Sequence, residues 1–169
     1  MAKVSVYFSI GSNLGDRRSN LQRAVSMLEE GLGRKASAVS SIIETEPWGF
    51  ESPNGFLNAC VRFRIPRKGP AGEHCLEILT LCKTIERSLG REDAVLPGEK
   101  PLTEGEGKRE YKDRPIDIDI LFYGLETIKN EYLTVPHPLM AQRPFVMDPL
   151  REIARSRIRR AFPEIFCAG

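Results

Sequence analysis

Two aspartates two positions apart, Asp117 and Asp119, lie inside an otherwise apolar run, Arg114-Pro115-Ile116-Asp117-Ile118-Asp119-Ile120-Leu121-Phe122-Tyr123. Alternate side chains of an extended strand share a face. Ile116, Ile118, Ile120 and Phe122 are therefore expected on one side, and Asp117, Asp119, Leu121 and Tyr123 on the other. Carboxylates at that spacing stand roughly 7 Å apart at their Cα atoms, close enough to repel and close enough to share a cation. A divalent metal, one ion or two, is the natural remedy. A sheet face open to water would solvate both without any ligand, although Asp is depleted in strands, and D-x-D alone does not separate the two.

Other polar residues sharpen the choice. Asn58 is the single amide in Phe56-Leu57-Asn58-Ala59-Cys60-Val61, and a buried amide needs partners for both its carbonyl and its amino group. A neighbouring backbone would serve, and so would the edge of a heteroaromatic ring. Upstream, Glu46-Pro47-Trp48-Gly49-Phe50-Glu51-Ser52-Pro53-Asn54-Gly55 carries two prolines, two glycines and the only tryptophan. It fits either a hairpin connection with Trp48 on the core edge or an aromatic wall for a planar ligand. His137 sits between Pro136 and Pro138, which fix its backbone, with Arg143-Pro144-Phe145 close behind. A loop histidine is ordinarily just solvated; this one is expected to be held in place. Carboxylates with magnesium, ringed by arginines such as Arg91, Arg114 and Arg143, suit phosphoryl transfer from a nucleotide. No G-x-x-x-x-G-K-[ST] loop is present, and Gly11-Ser12-Asn13-Leu14-Gly15-Asp16 reads as a strand-to-helix turn with an N-cap.

The elements that must position these groups follow from periodicity. Residues 4–10 alternate as a strand; Leu21, Ala24, Val25, Leu28 and Leu32 recur at helical spacing, with Gly31 and Gly33 as the stop. Strands are expected at 36–45 and 56–65, a second helix at 72–89 with Gly90 as its cap, and the aspartate strand last. This order, βαββαβ, is an α+β, ferredoxin-like antiparallel sheet with helices on one face and a C-terminal elaboration. The aspartate face is then the open one. Residues 91–113 carry no sustained hydrophobic period and are expected to form a mobile lid; 155–169 form a basic tail, expected as a solvated face.

A chain of 169 residues with 41% hydrophobic and 28% charged content fits one domain with a real core. A net charge of +2 gives no global case for nucleic acid or a membrane surface. No apolar run reaches the length of a membrane span, and the first residues enter a strand pattern rather than a signal peptide, so a cytoplasmic protein is expected. Cys60, Cys75, Cys82 and Cys167 lack C-x-x-C spacing, which argues against zinc or a disulfide framework. An RNA-binding module shares this topology, but no RNP1 pattern is found and an acidic open face repels phosphates. A regulatory domain gives no reason for Asp117 beside Asp119.

In combination, Gly11-Ser12-Asn13-Leu14-Gly15, Thr45 with Pro47-Trp48-Gly49, Phe56-Leu57-Asn58-Ala59, Leu89-Gly90-Arg91, the strand Arg114 to Leu121, Val135-Pro136-His137-Pro138 and Arg143-Pro144-Phe145 resemble, in order, the 6-hydroxymethyl-7,8-dihydropterin pyrophosphokinase family of folate biosynthesis. The resemblance implies transfer of the β,γ-pyrophosphoryl group of ATP to the pterin hydroxymethyl oxygen, releasing AMP. It implies that Asp117 and Asp119 hold two Mg²⁺ ions, and that Arg91, Arg143 and His137 act with them on the phosphates. Glu86, Tyr111, Arg114, Ile120 and Thr134 fall at nucleotide positions. Phe56 and Phe145 would sandwich the pterin, Asn58 would read its edge, and Thr45, Pro47, Trp48 and Asp117 would complete the substrate pocket. The partners are then the small molecules ATP and hydroxymethyl-dihydropterin, with no nucleic acid or membrane, and the chain is expected to be a monomer. One departure stands out: Tyr111-Lys112-Asp113-Arg114-Pro115 occupies the place of a Trp-Gly-Pro-Arg-Thr run. Lys108, Arg109 and Lys112 are the candidates for lid cations.

Overall fold

The strand that opens the chain, β1 (Lys3–Ser12), is buried along nearly its whole length because it lies at the centre of the sheet. The computed structural model describes residues 2–100 and 112–167. β1 pairs antiparallel with β4 (Phe56–Pro66) on one side and with β5 (Asp117–Tyr123) on the other. β2 (Ala38–Val39) and β3 (Ile43–Thr45) both extend the far edge of β4. With α1 (Arg17–Leu32) and α2 (Ala71–Ser88) this is the expected ferredoxin-like βαββαβ order, β2 and β3 together filling the place of its second strand.

That second strand was expected as one run over 36–45. It is broken at Ser40 and Ser41. The Ser40 hydroxyl accepts from the Cys60 N–H at 2.8 Å, and both the N–H and hydroxyl of Ser41 donate to Glu152, at 2.9 and 2.8 Å. A carboxylate from a distant helix thus takes the Ser41 backbone donor out of the ladder.

Asp16 caps α1 by accepting from the Ser19 N–H at 3.1 Å, and Leu21, Ala24 and Leu28 face the sheet. Gly33, at φ 66°, ends the helix. Gly31 does not; it lies inside α1, where a Cβ would stand 2.5 Å from a methyl of Leu81, so its role is close approach to α2. From α2, Cys75, Ile78, Cys82 and Ile85 join Val6, Phe8 and Ile10 in the main core. Burial pushes the Cys75 and Cys60 thiols up to about 12, which makes them packing groups at neutral pH.

Strict alternation fails in β5. Phe8 lies opposite Ile120 but Tyr7 lies opposite Phe122, so Leu121 is an extra, bulged residue. Beyond it the faces exchange. Tyr123, expected beside the aspartates, turns to the helix side and places its hydroxyl 2.7 Å from His74 Nδ1. Phe122, expected with the isoleucines, turns with Leu121 into a second core.

This second core corrects the expectation of an open face. α3 (Pro144–Ile153), α4 (Ser156–Ala161) and α5 (Pro163–Phe166) cover one end of it, packing Val146, Met147, Leu150, Ile158 and Phe162 against Tyr7, Cys60, Leu121 and Phe122. The basic tail is accordingly no uniformly solvated face. Arg159 donates to the carbonyls of Arg151 and Ala154 and lies over the Phe166 ring. Two short strands, β6 (Ile128–Lys129) and β7 (Thr134–Val135), pair beside β5. Among the described residues no helix is long and apolar enough to cross a membrane.

Candidate active site

Strand register assembles the site at the uncovered end of this face. Asn58, Gly11 and Asp117 form one row across β4, β1 and β5, and Cys60, Ser9 and Asp119 form the next row on the same face. Gly11 is required by the crowding within its row: a Cβ there would lie 2.9 Å from Asn58 Oδ1. Asn58 is buried and donates to the Thr45 hydroxyl at 2.7 Å, which aims its amide along the sheet.

Around these rows lies a narrow slot of about 40 Å³, lined by Thr45, Trp48, Phe50, Phe56, Asn58, Arg114, Asp117, Asp119, Arg143 and Phe145. Trp48 and Phe145 meet at 6.3 Å between ring centres, and Phe50 meets Phe56 edge-on at 6.3 Å. Arg143 lies over the Trp48 ring at 4.7 Å, and Arg114 over Phe56 at 5.9 Å. Both rings expected to sandwich a substrate are therefore present. Trp48 lines the slot, and Pro47, expected with it, does not.

A larger cavity of about 500 Å³ opens on the other side of Asp119, between residues 95–99, Lys83 of α2 and the 130–138 segment. Ile120, Thr134 and His137, three of the residues expected at the nucleotide, line it together. The His137 N–H donates to the Leu121 carbonyl at 3.1 Å, and its Nδ1 accepts from the Leu139 N–H at 3.3 Å, so backbone contacts orient the ring. Among the described residues Asp119 alone lines both cavities.

Arginines engage both carboxylates. Arg91 donates to Asp117 Oδ1 at 2.8 Å, Arg114 approaches Asp117 Oδ2 at 3.7 Å, and Arg143 lies 3.9 Å from Asp119 Oδ2. Arg91 is 8% exposed, and although burial acts to lower its pKa, Asp117 and Glu86 raise it further and keep it charged. Glu86, expected on the nucleotide side, stands behind Arg91 and lines neither cavity. It is completely buried and accepts from Arg91 at 3.1 Å, Lys83 at 3.1 Å and the Ile118 N–H at 2.9 Å. Burial holds its carboxyl above the ordinary value, against the pull of Lys83 and Arg91. Tyr111, Lys108 and Arg109 lie outside the described residues; Lys112 is exposed, with its ammonium 3.7 Å from Asp93.

Sequence reasoning missed two positioning groups. Asn13, treated as part of a turn, is buried, and its side chain accepts from the Arg114 N–H at 2.7 Å. Asp113 binds Asn13 and Asn54 together, at 2.8 and 2.7 Å. The only available cue was that an Asp replaces the proline of the resembled motif.

A narrow aromatic slot and a larger cavity meet at one carboxylate on a ferredoxin-like sheet, an arrangement that suits a group-transfer enzyme. A model of the 7,8-dihydro-6-hydroxymethylpterin-pyrophosphokinase (HPPK) family matches residues 7–155. A 2-amino-4-hydroxy-6-hydroxymethyldihydropteridine pyrophosphokinase of Porphyromonas gingivalis is 44% identical over 150 residues, covering 88% of this chain and 90% of the relative. One from Bacillus subtilis is 37% identical over 149 residues, covering 88% and 77%. A solved HPPK-DHPS structure in complex with substrates superposes with a TM-score of 0.62 at 13% identity, over 99% of this chain and 43% of that one. It supports the fold. The chain belongs to the 7,8-dihydro-6-hydroxymethylpterin-pyrophosphokinase family, enzymes that transfer pyrophosphate in folate biosynthesis with ATP as co-substrate.

Proposed function

We propose that the aromatic slot binds 6-hydroxymethyl-7,8-dihydropterin, that the larger cavity binds ATP, and that pyrophosphoryl transfer takes place at Asp119. The observation that carries this is the position of Asp119 as the one described residue common to both cavities. In the reaction the pterin hydroxymethyl oxygen forms a bond to the β-phosphorus of ATP, the bond from that phosphorus to the α,β-bridging oxygen breaks, and AMP leaves.

Asp117 and Asp119 suit Mg²⁺, which is commonly held by one or two carboxylates together with substrate phosphates. Both carboxylates are partly exposed, at 24% and 17% of their side chains, and share one face of the sheet. When bound there, Mg²⁺ supplies charge neutralisation on the phosphate oxygens; two ions are proposed. Arg91 and Arg143, which stand on the carboxylates, would serve as phosphate-binding cations beside His137. Arg114, on the slot wall over Phe56, helps to bind ATP or to close the lid. Phe56 and Phe145 stack the pterin, Trp48 and Thr45 complete its walls, and Asn58 reads its edge, since an amide offers both a donor and an acceptor. Residues 91–113 are proposed as a lid, of which 101–111 lie outside the described residues; the enzyme is proposed to work as a cytoplasmic monomer, with no part for nucleic acid or membrane.

The test is AMP release from ATP and hydroxymethyl-dihydropterin, with and without Mg²⁺, by the native enzyme and by Asp119→Asn. Turnover should require Mg²⁺ and fall by at least ~100-fold in the variant, in keeping with loss of a metal ligand at a phosphoryl-transfer site, while the thermal midpoint stays close to native. Native-like turnover in a folded Asp119→Asn enzyme would remove Asp119 from the reaction.

A further inference from the structure

Asp113 is the point where three otherwise separate segments meet. Its Oδ1 accepts from Asn13 Nδ2 at 2.8 Å and its Oδ2 from Asn54 Nδ2 at 2.7 Å, with Ser52 adding a hydroxyl. Asn13 opens the turn after β1, Asn54 lies at the end of the Trp48 loop, and Asp113 leads into β5. The Asn13 amide completes the connection. Its Oδ1 accepts from the Arg114 N–H at 2.7 Å, its own N–H donates to the Arg114 carbonyl at 3.1 Å, and its Nδ2 also reaches the Asn54 carbonyl at 3.3 Å. Asn54 in turn is tied back by its N–H to the Ser52 hydroxyl at 3.1 Å.

The polarity of this cluster admits one arrangement. Asn13 must present its oxygen to the Arg114 N–H, so its amino group is forced toward position 113 and demands an acceptor there. Asn54 presents a second amino group from the other side. Two converging N–H donors call for a group with acceptors on both arms and no donor, and an ionised carboxylate is that group. Hydrogen bonds from Ser52, Asn54 and Asn13 hold the Asp113 carboxyl below its ordinary value, so it is ionised throughout the neutral range. What the cluster fixes is the wall of the slot: Arg114 lies over Phe56, and the loop ending at Asn54 carries Trp48 and Phe50.

We infer that Asp113 is a positioning residue for the acceptor slot, a carboxylate latch that locks the Trp48 loop and Arg114 together through Asn54 and Asn13 and so sets affinity for the pterin. The latch touches no reacting atom and rests on the assignment of the slot to the pterin. It is a property of this chain's own residues.

Asp113→Asn tests it sharply because the shape is kept while one acceptor becomes a donor facing another donor. The KM for hydroxymethyl-dihydropterin should rise about tenfold, the scale of one charge-assisted hydrogen bond lost, with kcat lowered less than ~3-fold and the KM for ATP unchanged. Asn54→Asp should also raise the pterin KM, by setting two carboxylates against each other. The exchange Asp113→Asn with Asn54→Asp restores an acceptor for each donor and should bring the KM back to within ~3-fold of native, a rescue that a merely structural defect would not give. Asn58→Ala serves as a reference for the slot. An unchanged pterin KM in Asp113→Asn, beside a raised one in Asn58→Ala, overturns the latch and leaves the slot assignment standing. Unchanged pterin KM in both overturns the slot assignment and the latch with it, and failure of the exchange to rescue refutes the polarity argument.

Discussion

Gly11→Ala puts a single methyl group into the row that holds the site. Gly11 lies in ordinary strand geometry between Asn58 and Asp117, so the backbone accepts alanine and the effect is steric. The new Cβ would lie 2.9 Å from Asn58 Oδ1, 3.5 Å from the Phe56 ring and 3.7 Å from the Leu57 carbonyl. Backbone and ring contacts are ordinary; the contact with Asn58 is not. Asn58 must move by several tenths of an ångström, and its 2.7 Å bond to Thr45 restrains it. Overpacking of this kind costs ~1–3 kcal/mol, offset by ~0.5–1 kcal/mol because glycine in a strand is the less favourable residue. The net destabilisation of about 1 kcal/mol predicts a fall in Tm of roughly 2–4 °C for a chain of this size. With Asn58 reading the pterin edge as proposed, displacing the amide by that amount should weaken one or two hydrogen bonds, about 1–2 kcal/mol, or roughly 5- to 30-fold in KM for the pterin. The KM for ATP should not move. Steady-state kinetics in both substrates, repeated on an Asn58→Ala background, give a double-mutant cycle. If Asn58 transmits the effect, Gly11→Ala adds little to the pterin KM once Asn58 is gone. Full additivity, or an effect on ATP in place of pterin, would refute the reasoning.

Glu86→Ala leaves the 8%-exposed Arg91 without its buried partner and removes the acceptor of the Ile118 N–H, so urea denaturation should show a loss of ~3–5 kcal/mol. Glu86→Gln keeps that backbone bond and should recover part of the loss. His74 is 4% exposed, and burial holds its imidazole below the ordinary value of 6.5. As pH falls below that value the unfolded chain takes up a proton that the folded chain resists, so stability falls with acid until the lower folded pKa is reached. His74→Gln should flatten that part of the Tm profile against pH; an unchanged slope would place the acid sensitivity elsewhere.

The order of elements was legible because hydrophobic periods of two and 3.6 residues survive in β1, β4, α1 and α2. Asp117 and Asp119 were visible for the same reason, as carboxylates inside a period that expects apolar residues. What stayed hidden was non-local. Glu86 sits on an ordinary helical pattern, and nothing nearby in sequence announces that its partners are Arg91 and the Ile118 N–H, 32 residues on. The Asn13–Asp113 bond spans 100 residues, and each partner alone reads as a loop residue. The bulge was hidden differently. Leu121, Phe122 and Tyr123 are all large and apolar enough to be buried on either face, so the pattern is silent about which way each one turns.

That bulge links packing to chemistry. Upstream of Leu121, β5 sends Ile118 and Ile120, with Ile116 just before it, to the main core and Asp117 and Asp119 to the slot. Downstream, the extra residue puts Leu121 and Phe122 onto the aspartate face and turns Tyr123 to His74. Both residues of the new pair are almost fully buried, worth roughly 1.5–3 kcal/mol each against exposure, and what buries them is α3 with its successors. Unbroken alternation would have left only Leu121 and the tyrosine hydroxyl on that face, a poorer seat for an apolar helix. The N-terminal end of α3 carries Arg143 as its cap and Phe145 in its first turn, which stand against Asp119 and Trp48. A single inserted residue therefore docks the helix that supplies an arginine and an aromatic wall to the site, while leaving the two aspartates four and two positions earlier in the clear.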